Sequence, residues 1–355
     1  MKNTREIPDK GYERSEILSH MNSLKTNDCN FRDGKTFGLV YRIKDQHEQL
    51  MSDVQKEFME ENYLNPMAFK SIQSMESDVV AMTIKLCKGD NDVSGSMTSG
   101  GTESILLACK AYRDRILQKN SRTKPEIILP TTAHVAFDKA AAYFGLKIKR
   151  LQLDKNYRAD LSKLSKMINP NTAAVVMSAP QYPHGVIDPI KEACQITSKA
   201  NIPLHVDACM GGFILPWLEK IGEPIPPWDF RVEGVTSISL DVHKYGYCPK
   251  GASLLLFRNM SYMKHQFFVA TDWPGGVYAS PTMAGSRPGH AIATAYASLL
   301  SIGAQGFLEQ SKKIASARKE FQKAVTTRPG LSDLEIIGQP EVCLLYTSPS
   351  PRDRG

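Results

Sequence analysis

The stretch Ser239-Leu-Asp-Val-His-Lys-Tyr-Gly-Tyr-Cys-Pro-Lys-Gly251 follows a short run typical of a β-strand and contains two lysines six positions apart. A lysine amine attacks carbonyl groups only when it is unprotonated, and an apolar pocket or a neighbouring cation lowers its pKa. His243 and Lys250 can supply such an environment for Lys244. The stretch therefore predicts a Schiff-base lysine at position 244, although its Gly and Pro residues are also typical of a surface turn with solvated lysines.

A second signal lies upstream, in the segment from Ser94 to Arg113. Gly100, Gly101 and Thr102 precede apolar residues at helical spacing, which predicts that they lie at a helix N-terminus. Free backbone N–H groups and the helix dipole at such a position bind phosphate. The pattern is neither G-x-G-x-x-G nor a P-loop, which argues against a dinucleotide or nucleoside triphosphate site. Taken alone, it also fits an ordinary capped helix start.

The third signal is the apolar run from Ile202 to Gly212, which predicts a strand with His205 and Asp207 on the same face. A carboxylate at the end of a buried strand needs a partner, and a protonated pyridine nitrogen is one. A phosphate-binding turn, a strand-end Asp and a reactive Lys are the three groups that pyridoxal phosphate requires. The sequence therefore predicts a pyridoxal 5'-phosphate site.

These motifs resemble those of fold-type I pyridoxal phosphate enzymes in the group II decarboxylase superfamily, and in particular the sphingosine-1-phosphate lyase family. The resemblance covers roughly residues 30 to 342 and rests on Thr98–Leu106, Ala133–Ala140, Pro180–Asp188, the strand ending at Asp207, the segment around Lys244, and Thr271–Gly289. The last of these is specific to the lyases, whereas the Gly-Gly-Thr and His-Lys elements are shared with amino-acid decarboxylases.

Between the motifs, helical patterns alternate with short β-rich runs. Helices are predicted near residues 103–118, 134–144, 159–168 and 189–200, and strands near 126–129, 147–153, 173–178, 203–207, 235–239 and 252–257. This alternation indicates an α/β fold whose mostly parallel sheet is covered on both faces, with ligands at the carboxyl ends of the strands.

Four regions are expected along the chain. An N-terminal helical arm spans residues 1–75, the pyridoxal phosphate-binding large domain of fold-type I spans 76–305, and a truncated small C-terminal domain begins over 306–342. Residues 343–355 include Cys343-Leu-Leu-Tyr-Thr-Ser-Pro-Ser-Pro-Arg-Asp353. This run has the appearance of a translated sequencing adapter, so we expect a non-native tail there.

The resemblance implies how the cofactor is held. Lys244 would bond to its aldehyde, Asp207 would keep its pyridine nitrogen protonated, and His134 would stack on its ring. The full set of implied cofactor-binding residues is Gly100, Gly101, Thr102, His134, Asp207, His243, Lys244, and Ser286 from the neighbouring subunit of a homodimer. Without the resemblance, a helix-start His, a capping Thr and a Ser in a turn have ordinary structural explanations.

The resemblance also implies a substrate. A phosphorylated sphingoid base would be cleaved by retro-aldol chemistry to a long-chain aldehyde and phosphoethanolamine. Lys250 would clamp the substrate phosphate, and Tyr41 and Tyr182 would line the pocket and transfer protons, acting with Lys244 and His134. For either Tyr, packing in the core or at a pocket rim is an alternative role. No metal site is expected.

Two positions depart from the family pattern. Asn65, in Asn62-Tyr-Leu-Asn-Pro-Met67, stands where the lyases carry a histidine, and Phe37 stands where a small residue is usual. Asn cannot shuttle a proton near neutral pH. Two alternatives therefore stay open. One is a pyridoxal phosphate-dependent amino-acid decarboxylase, with Arg42 or Arg287 binding a substrate carboxylate, and the other is an inactive, truncated scaffold.

Composition is consistent with these expectations. The 355 residues are 42% hydrophobic and carry a net charge of +7, with basic residues scattered among acidic ones, so no nucleic-acid partner is expected. The seven cysteines form no C-x-x-C pair, which is typical of a reducing compartment. No membrane span is expected in this chain. The expected location is cytosol-facing, at the endoplasmic reticulum membrane if an N-terminal anchor is missing and cytoplasmic otherwise.

Overall fold

A computed structural model describes residues 5–33, 38–43 and 45–327 of the chain. Contacts divide it into two compact units, with the division between Val40 and Tyr41. The first unit contains helix α1 (Arg14–Leu24) and two short 3-10 helices, Lys25–Asn27 and Phe31–Asp33. Glu16 caps the start of α1, where its carboxylate accepts the backbone N–H of Glu13 at 3.1 Å.

The second unit is built around a seven-stranded sheet. Its strands are β1 (Ser94–Thr98), β2 (Glu126–Pro130), β3 (Lys147–Leu151), β4 (Thr172–Ser178), β5 (Leu204–Asp207), β6 (Val235–Leu240) and β7 (Ser253–Phe257). The spatial order is β1-β7-β6-β5-β4-β2-β3. Neighbours from β3 to β6 pair in parallel, and β7 runs antiparallel to both β6 and β1. The predicted α/β fold with a mostly parallel sheet is confirmed.

Helices cover both faces of this sheet. They are α2 (Asp45–Glu57), α3 (Lys70–Leu86), α4 (Gly101–Lys119), α5 (Ala136–Phe144), α6 (Leu164–Met167), α7 (Ile190–Lys199), α8 (Leu215–Lys220), α9 (Met260–Met263) and α10 (Gly289–Thr327). Alternate residues of β4 point to opposite faces. Val175 packs in a cluster that includes α3 and α10, whereas Val176 packs with α4 and α5. Both faces are therefore apolar and buried.

The predicted strands near 126–129, 147–153, 173–178, 203–207, 235–239 and 252–257 correspond to β2 through β7. The helical patterns correspond to α4, α5 and α7, while the pattern over 159–168 forms a 3-10 turn, Leu161–Lys163, and the short α6. Three strands had no sequence signal. They are β1, which consists of small polar residues and Met, and the two strands of the hairpin formed by β8 (Phe268–Ala270) and β9 (Tyr278–Ser280).

The predicted domain boundaries at residues 75 and 305 both fall inside helices, α3 and α10. The boundary at 342 and the tail over 343–355 lie outside the described residues. Helix α10 is interrupted at Gly303, whose φ of 59° and ψ of 175° are non-helical. A positive φ of this kind favours glycine. Among the described residues, α10 alone has the length and apolarity of a membrane span, and it packs against α2, α3 and α8.

Candidate active site

A pocket of about 390 Å³ lies at the carboxyl ends of the parallel strands. The loop after β1 leads into α4, the loop after β2 leads into α5, and β5 and β6 end at the pocket floor. This is where an open α/β sheet binds ligands. The pocket brings together seven residues predicted from the sequence, namely Gly100, Gly101, Thr102, His134, Asp207, His243 and Lys244.

The predicted phosphate-binding turn forms one wall of this pocket. Helix α4 begins at Gly101, directly after Gly100, and Thr102 is exposed in its first turn. A Cβ atom on Gly101 would lie 2.8 Å from both carboxylate oxygens of Asp241 and 2.9 Å from Sγ of Cys209. Both contacts are closer than real Cβ atoms approach. Glycine is therefore required here because a buried carboxylate lies against the start of α4.

The side chain of Glu103 holds this turn in place through two hydrogen bonds. One carboxylate oxygen accepts the backbone N–H of Ser99 at 2.6 Å, and the other accepts the backbone N–H of Met283 at 2.7 Å. Both are charge-assisted bonds made by a buried residue. Glu103 thus ties the pocket wall to the loop that follows β9. Sequence reasoning treated it only as part of a helix start, because its second partner is 180 residues away.

Asp207 ends β5 with its carboxylate buried, as predicted. Its Oδ1 accepts the backbone N–H of Cys209 at 3.0 Å and the hydroxyl of Ser239 at 3.3 Å. His205, on the same face, contacts Ser237 at 2.7 Å and the same Ser239 at 3.3 Å. Burial lowers the pKa of His205 to about 4, against the opposing effect of Asp207. His205 is therefore neutral at physiological pH.

Lys244 does not have the environment that the sequence suggested. Burial lowers the pKa of its amine, but the Asp241 carboxylate, with Oδ2 at 3.0 Å from Nζ, outweighs burial and raises the pKa above its ordinary value. His243 cannot act as the neighbouring cation either. Burial lowers its pKa, and its Nδ1 accepts the backbone N–H of Ala252 at 3.2 Å, so the ring is neutral. The expectation of a lowered pKa for Lys244 is wrong.

His134 lies at the mouth of the pocket, just before α5. Its Nδ1 accepts the backbone N–H of Ala136 at 3.1 Å, which fixes the orientation of the exposed ring at the start of the helix. The ring therefore has the capping role of a helix-start histidine and also lines the pocket. Its stacking on a cofactor ring stays a prediction.

The chain is similar in sequence to known proteins. The sequence profile of the pyridoxal-dependent decarboxylase conserved domain matches residues 48–346. The chain belongs to this family. Rat sphingosine-1-phosphate lyase 1 is 45% identical to it over 340 residues, which are 96% of this chain and 59% of the relative. The chain thus spans about three fifths of the length of this relative.

Two solved structures are similar to this chain. The structure of a sphingosine-1-phosphate lyase from Burkholderia pseudomallei matches with a TM-score of 0.87 and 38% identity, covering 92% of this chain and 77% of that one. Glutamate decarboxylase from Lactobacillus brevis matches with a TM-score of 0.78 and 20% identity, covering 92% and 76%. The second likeness shows the shared fold alone. The fold-type I prediction is confirmed, and the cofactor of this pyridoxal-dependent family member is pyridoxal 5'-phosphate.

The residues of the pocket fit that cofactor. A Cβ atom on Gly100 would meet only Cε1 of His243, at 3.6 Å, so the helix start is open to a phosphate. Asp207 offers a carboxylate for a protonated ring nitrogen, and Lys244 offers an amine for an aldehyde.

Four predicted residues of this family member lie outside the pocket lining. The amine of Lys250 donates to the backbone carbonyl of His243 at 2.8 Å and lies 4.7 Å from the ring centre of Tyr41. Tyr182 is 53% exposed in the loop after β4. Ser286 is exposed and accepts the side-chain amide N–H of Asn62 at 3.0 Å. The proposed roles of Lys250, Tyr41, Tyr182 and Ser286 stay predictions.

The positions that raised doubt have ordinary local roles. Asn65 is exposed and its side-chain oxygen accepts the backbone N–H of Met67 at 2.9 Å, which closes a turn. Phe37 lies outside the described residues. Arg42 pairs with Asp45 and Glu48, and Arg287 pairs with Glu76 at 3.3 Å. No cluster of three or more metal-ligating side chains occurs in residues 5–33, 38–43 and 45–327.

Asp241 and Cys209 are among the pocket residues that sequence reasoning did not assign to the site. Asp241 is only three positions before Lys244, in the opening motif, but a loop carboxylate has no periodicity that would indicate burial. Cys209 was counted only as a reduced thiol, and burial raises its pKa well above the ordinary value. The absence of any side chain at Gly101 is the one sequence signal that could have indicated a close neighbour there.

Proposed function

We propose that the protein is a carbon–carbon lyase that cleaves phosphorylated sphingoid bases to a long-chain aldehyde and phosphoethanolamine. The proposal rests on the cofactor pocket together with the similarity to sphingosine-1-phosphate lyases over 96% of the chain. The single observation that supports a phosphorylated substrate is the environment of Lys250. Its ammonium group, on a residue that is exposed as a whole, contacts a carbonyl oxygen and an aromatic ring, and no carboxylate of the described residues forms an ion pair with it. It is therefore available to a second phosphate.

Some of the side chains bind the cofactor, and others bind the substrate. Lys244 and Asp207 hold the two reactive ends of the cofactor, and the turn at Gly100 holds its phosphate. Bound in this way, the cofactor would supply an electron sink for the carbon that carries the substrate amine. Lys250 binds the substrate phosphate, and Tyr41, fixed edge-on against Tyr245 at 5.1 Å, lies beside it as the group that accepts or returns the proton of the 3-hydroxyl.

The amino-acid decarboxylase alternative needs a cation for a substrate carboxylate. Both candidates named from the sequence, Arg42 and Arg287, are engaged by carboxylates of the chain itself. Breaking a partly buried ion pair to bind substrate leaves a carboxylate uncompensated. The observations therefore favour the lyase over the decarboxylase.

The assembly and location that accompany this function are also proposals. Exposed Ser286, held by Asn62, is consistent with a residue that a homodimer presents to the neighbouring active site. We propose a homodimer that faces the cytosol, associated with the endoplasmic reticulum if the full-length protein carries an anchor. Nucleic acid has no role in the proposal.

The test is a product assay on the full-length protein loaded with pyridoxal phosphate. Incubation with sphinganine 1-phosphate should release long-chain aldehyde and phosphoethanolamine in equal amounts, with no carbon dioxide from glutamate or aromatic amino acids. The Lys244→Ala variant is the control and should release neither product. Carbon dioxide from an amino acid, with sphinganine 1-phosphate untouched, would establish the decarboxylase, and cofactor binding without any product would establish the inactive scaffold.

A further inference from the structure

Asp241 lines the cofactor pocket and forms an ion pair with Lys244. We propose that Asp241 is a positioning residue that holds Lys244 as an ion-paired ammonium and so sets the pH dependence of cofactor capture. The proposal rests on the assignment of the cofactor site and is independent of the substrate. Neither the sequence motif nor the resemblance assigned Asp241 a role.

Asp241 and Lys244 form a buried ion pair in the lining of the pocket. Oδ2 of Asp241 lies 3.0 Å from Nζ of Lys244, and the two side chains are 2% and 26% exposed. The second oxygen, Oδ1, is buried and has no partner among the described residues. Buried and partly desolvated pairs are screened far less than surface pairs. The lysine amine therefore keeps its proton at neutral pH.

The carboxylate also lies beside the helix N-terminus at which the cofactor phosphate would bind. Gly101 opens α4, and both oxygens of Asp241 are 2.8 Å from the position that a Cβ on Gly101 would take. An anion at a helix N-terminus is stabilised by the free N–H groups and the helix dipole. Asp241 thus places a negative charge next to the site that a phosphate dianion would occupy. Its presence disfavours capture in two ways, through the lysine proton and through repulsion.

Other titratable groups around the pair do not replace this effect. Among the described residues, the charged or titratable side chains that face Asp241 and Lys244 are Tyr41, Asp207, Cys209, His243 and Lys250, and Glu103 and His134 also line the pocket. Burial keeps the His243 ring neutral by lowering its pKa and keeps the Cys209 thiol protonated by raising its pKa. Lys250 is the remaining cation, but its amine donates to the carbonyl of His243. The full negative charge in contact with Lys244 is Asp241.

The direction of the pH effect follows from the amine. A lysine captures an aldehyde only as the free amine, so below its pKa the rate rises about tenfold for each pH unit. In the wild type we expect this rise to continue without levelling off up to about pH 9. Removing the carboxylate lowers the lysine pKa towards the value that burial alone would give, so the profile shifts to lower pH.

The experiment measures capture, not turnover. Full-length cofactor-free protein is mixed with pyridoxal 5'-phosphate between pH 6 and 9, trapped with borohydride at fixed times, and the label on Lys244 is quantified by peptide mass spectrometry. Asp241→Asn should capture cofactor at least about tenfold faster than the wild type at pH 7 and should level off at lower pH. Asp229→Asn is the matched control, since Asp229 is equally buried and ion-paired, with Arg231, but lies outside the pocket. Its profile should match that of the wild type.

The outcomes separate the two proposals. Absence of label on Lys244 in the wild type would overturn both the cofactor site and the role of Asp241. Normal labelling in the wild type, with an unchanged rate and profile in Asp241→Asn, would overturn the role of Asp241 alone. If Asp241→Asn does not fold, the wild-type profile still decides, because a rate that levels off near pH 7 requires a lysine whose pKa is lowered.

Discussion

Two lysines of the site, Lys244 and Lys250, lie six positions apart in the sequence, but their pKa values are shifted in opposite directions. Burial lowers the pKa of Lys244 and the Asp241 carboxylate raises it. The effect of the carboxylate is larger, so the pKa is raised. Among the described residues, no carboxylate forms an ion pair with Lys250, and burial of its amine lowers its pKa even though the residue as a whole is exposed. Sequence alone marks both as unusual but cannot assign these directions, because it does not show that the nearby Asp241 is buried and paired with Lys244.

Lys250→Ala tests the substrate clamp. The variant should retain cofactor on Lys244, because the Lys250 amine contacts only the carbonyl of His243 and the ring of Tyr41 among the described residues. Loss of a charge-assisted contact to the substrate phosphate costs about 1.5 to 3 kcal/mol, so kcat/KM for sphinganine 1-phosphate should fall at least about tenfold. Lys155→Ala, at an exposed lysine outside the pocket, is the control. Unchanged kinetics in Lys250→Ala would leave this lysine a solvated surface residue.

At the scale of elements, the strands β2 to β7 and helices α4, α5 and α7 are predictable from pattern, whereas β1 is not. Its residues, Ser94-Gly-Ser-Met-Thr98, have low strand propensity and no alternation of apolar side chains. They form a strand because β7 offers a long-range partner, with Ser94 opposite Phe257 and Gly95 opposite Leu256. A Cβ on Gly95 would lie 2.5 Å from the Leu256 side chain, so close approach selects glycine. Tertiary packing here overrides local preference.

Glu103→Gln tests how the loops are tied to α4. The amide offers one acceptor oxygen in place of two, so the backbone N–H of Ser99 or Met283 loses its partner. Loss of a hydrogen bond to a charged group costs about 1.5 to 3 kcal/mol in the free energy of unfolding. Urea denaturation measures the change, with Glu309→Gln, at an exposed position on α10, as the control. Equal stability of the two variants would mean that Glu103 does not fix the turn.

At the scale of the whole molecule, buried titratable groups make folding depend on pH. His205 has a folded pKa of about 4, below its ordinary value of 6.5. Between these values the unfolded chain binds the proton and the folded chain does not, so stability is lost as the pH falls from 6.5 towards 4. Burial raises the pKa of Asp188 to about 6, which has the opposite effect, since stability is regained as the pH falls below 6.

His205→Gln isolates the histidine contribution. Between pH 7 and pH 5 the free energy of unfolding of the wild type should fall by about 2 kcal/mol more than that of the variant, because Asp188 and all other groups act equally in both. Urea midpoints at the two pH values provide the measurement. A constant difference between the two proteins across this range would show that His205 is not held neutral by burial.

The pairing of β1 with β7 also has a consequence for synthesis on the ribosome. Ser94–Thr98 emerges first among the strands, yet its partner Ser253–Phe257 emerges last in the sheet. Pairing across such a long loop is slow and has to wait for its second strand. The wall of the pocket that begins at Gly100 is therefore left without its sheet partner until translation has passed Phe257. Nascent chains released before that point have the strands for a partial sheet but cannot hold the cofactor.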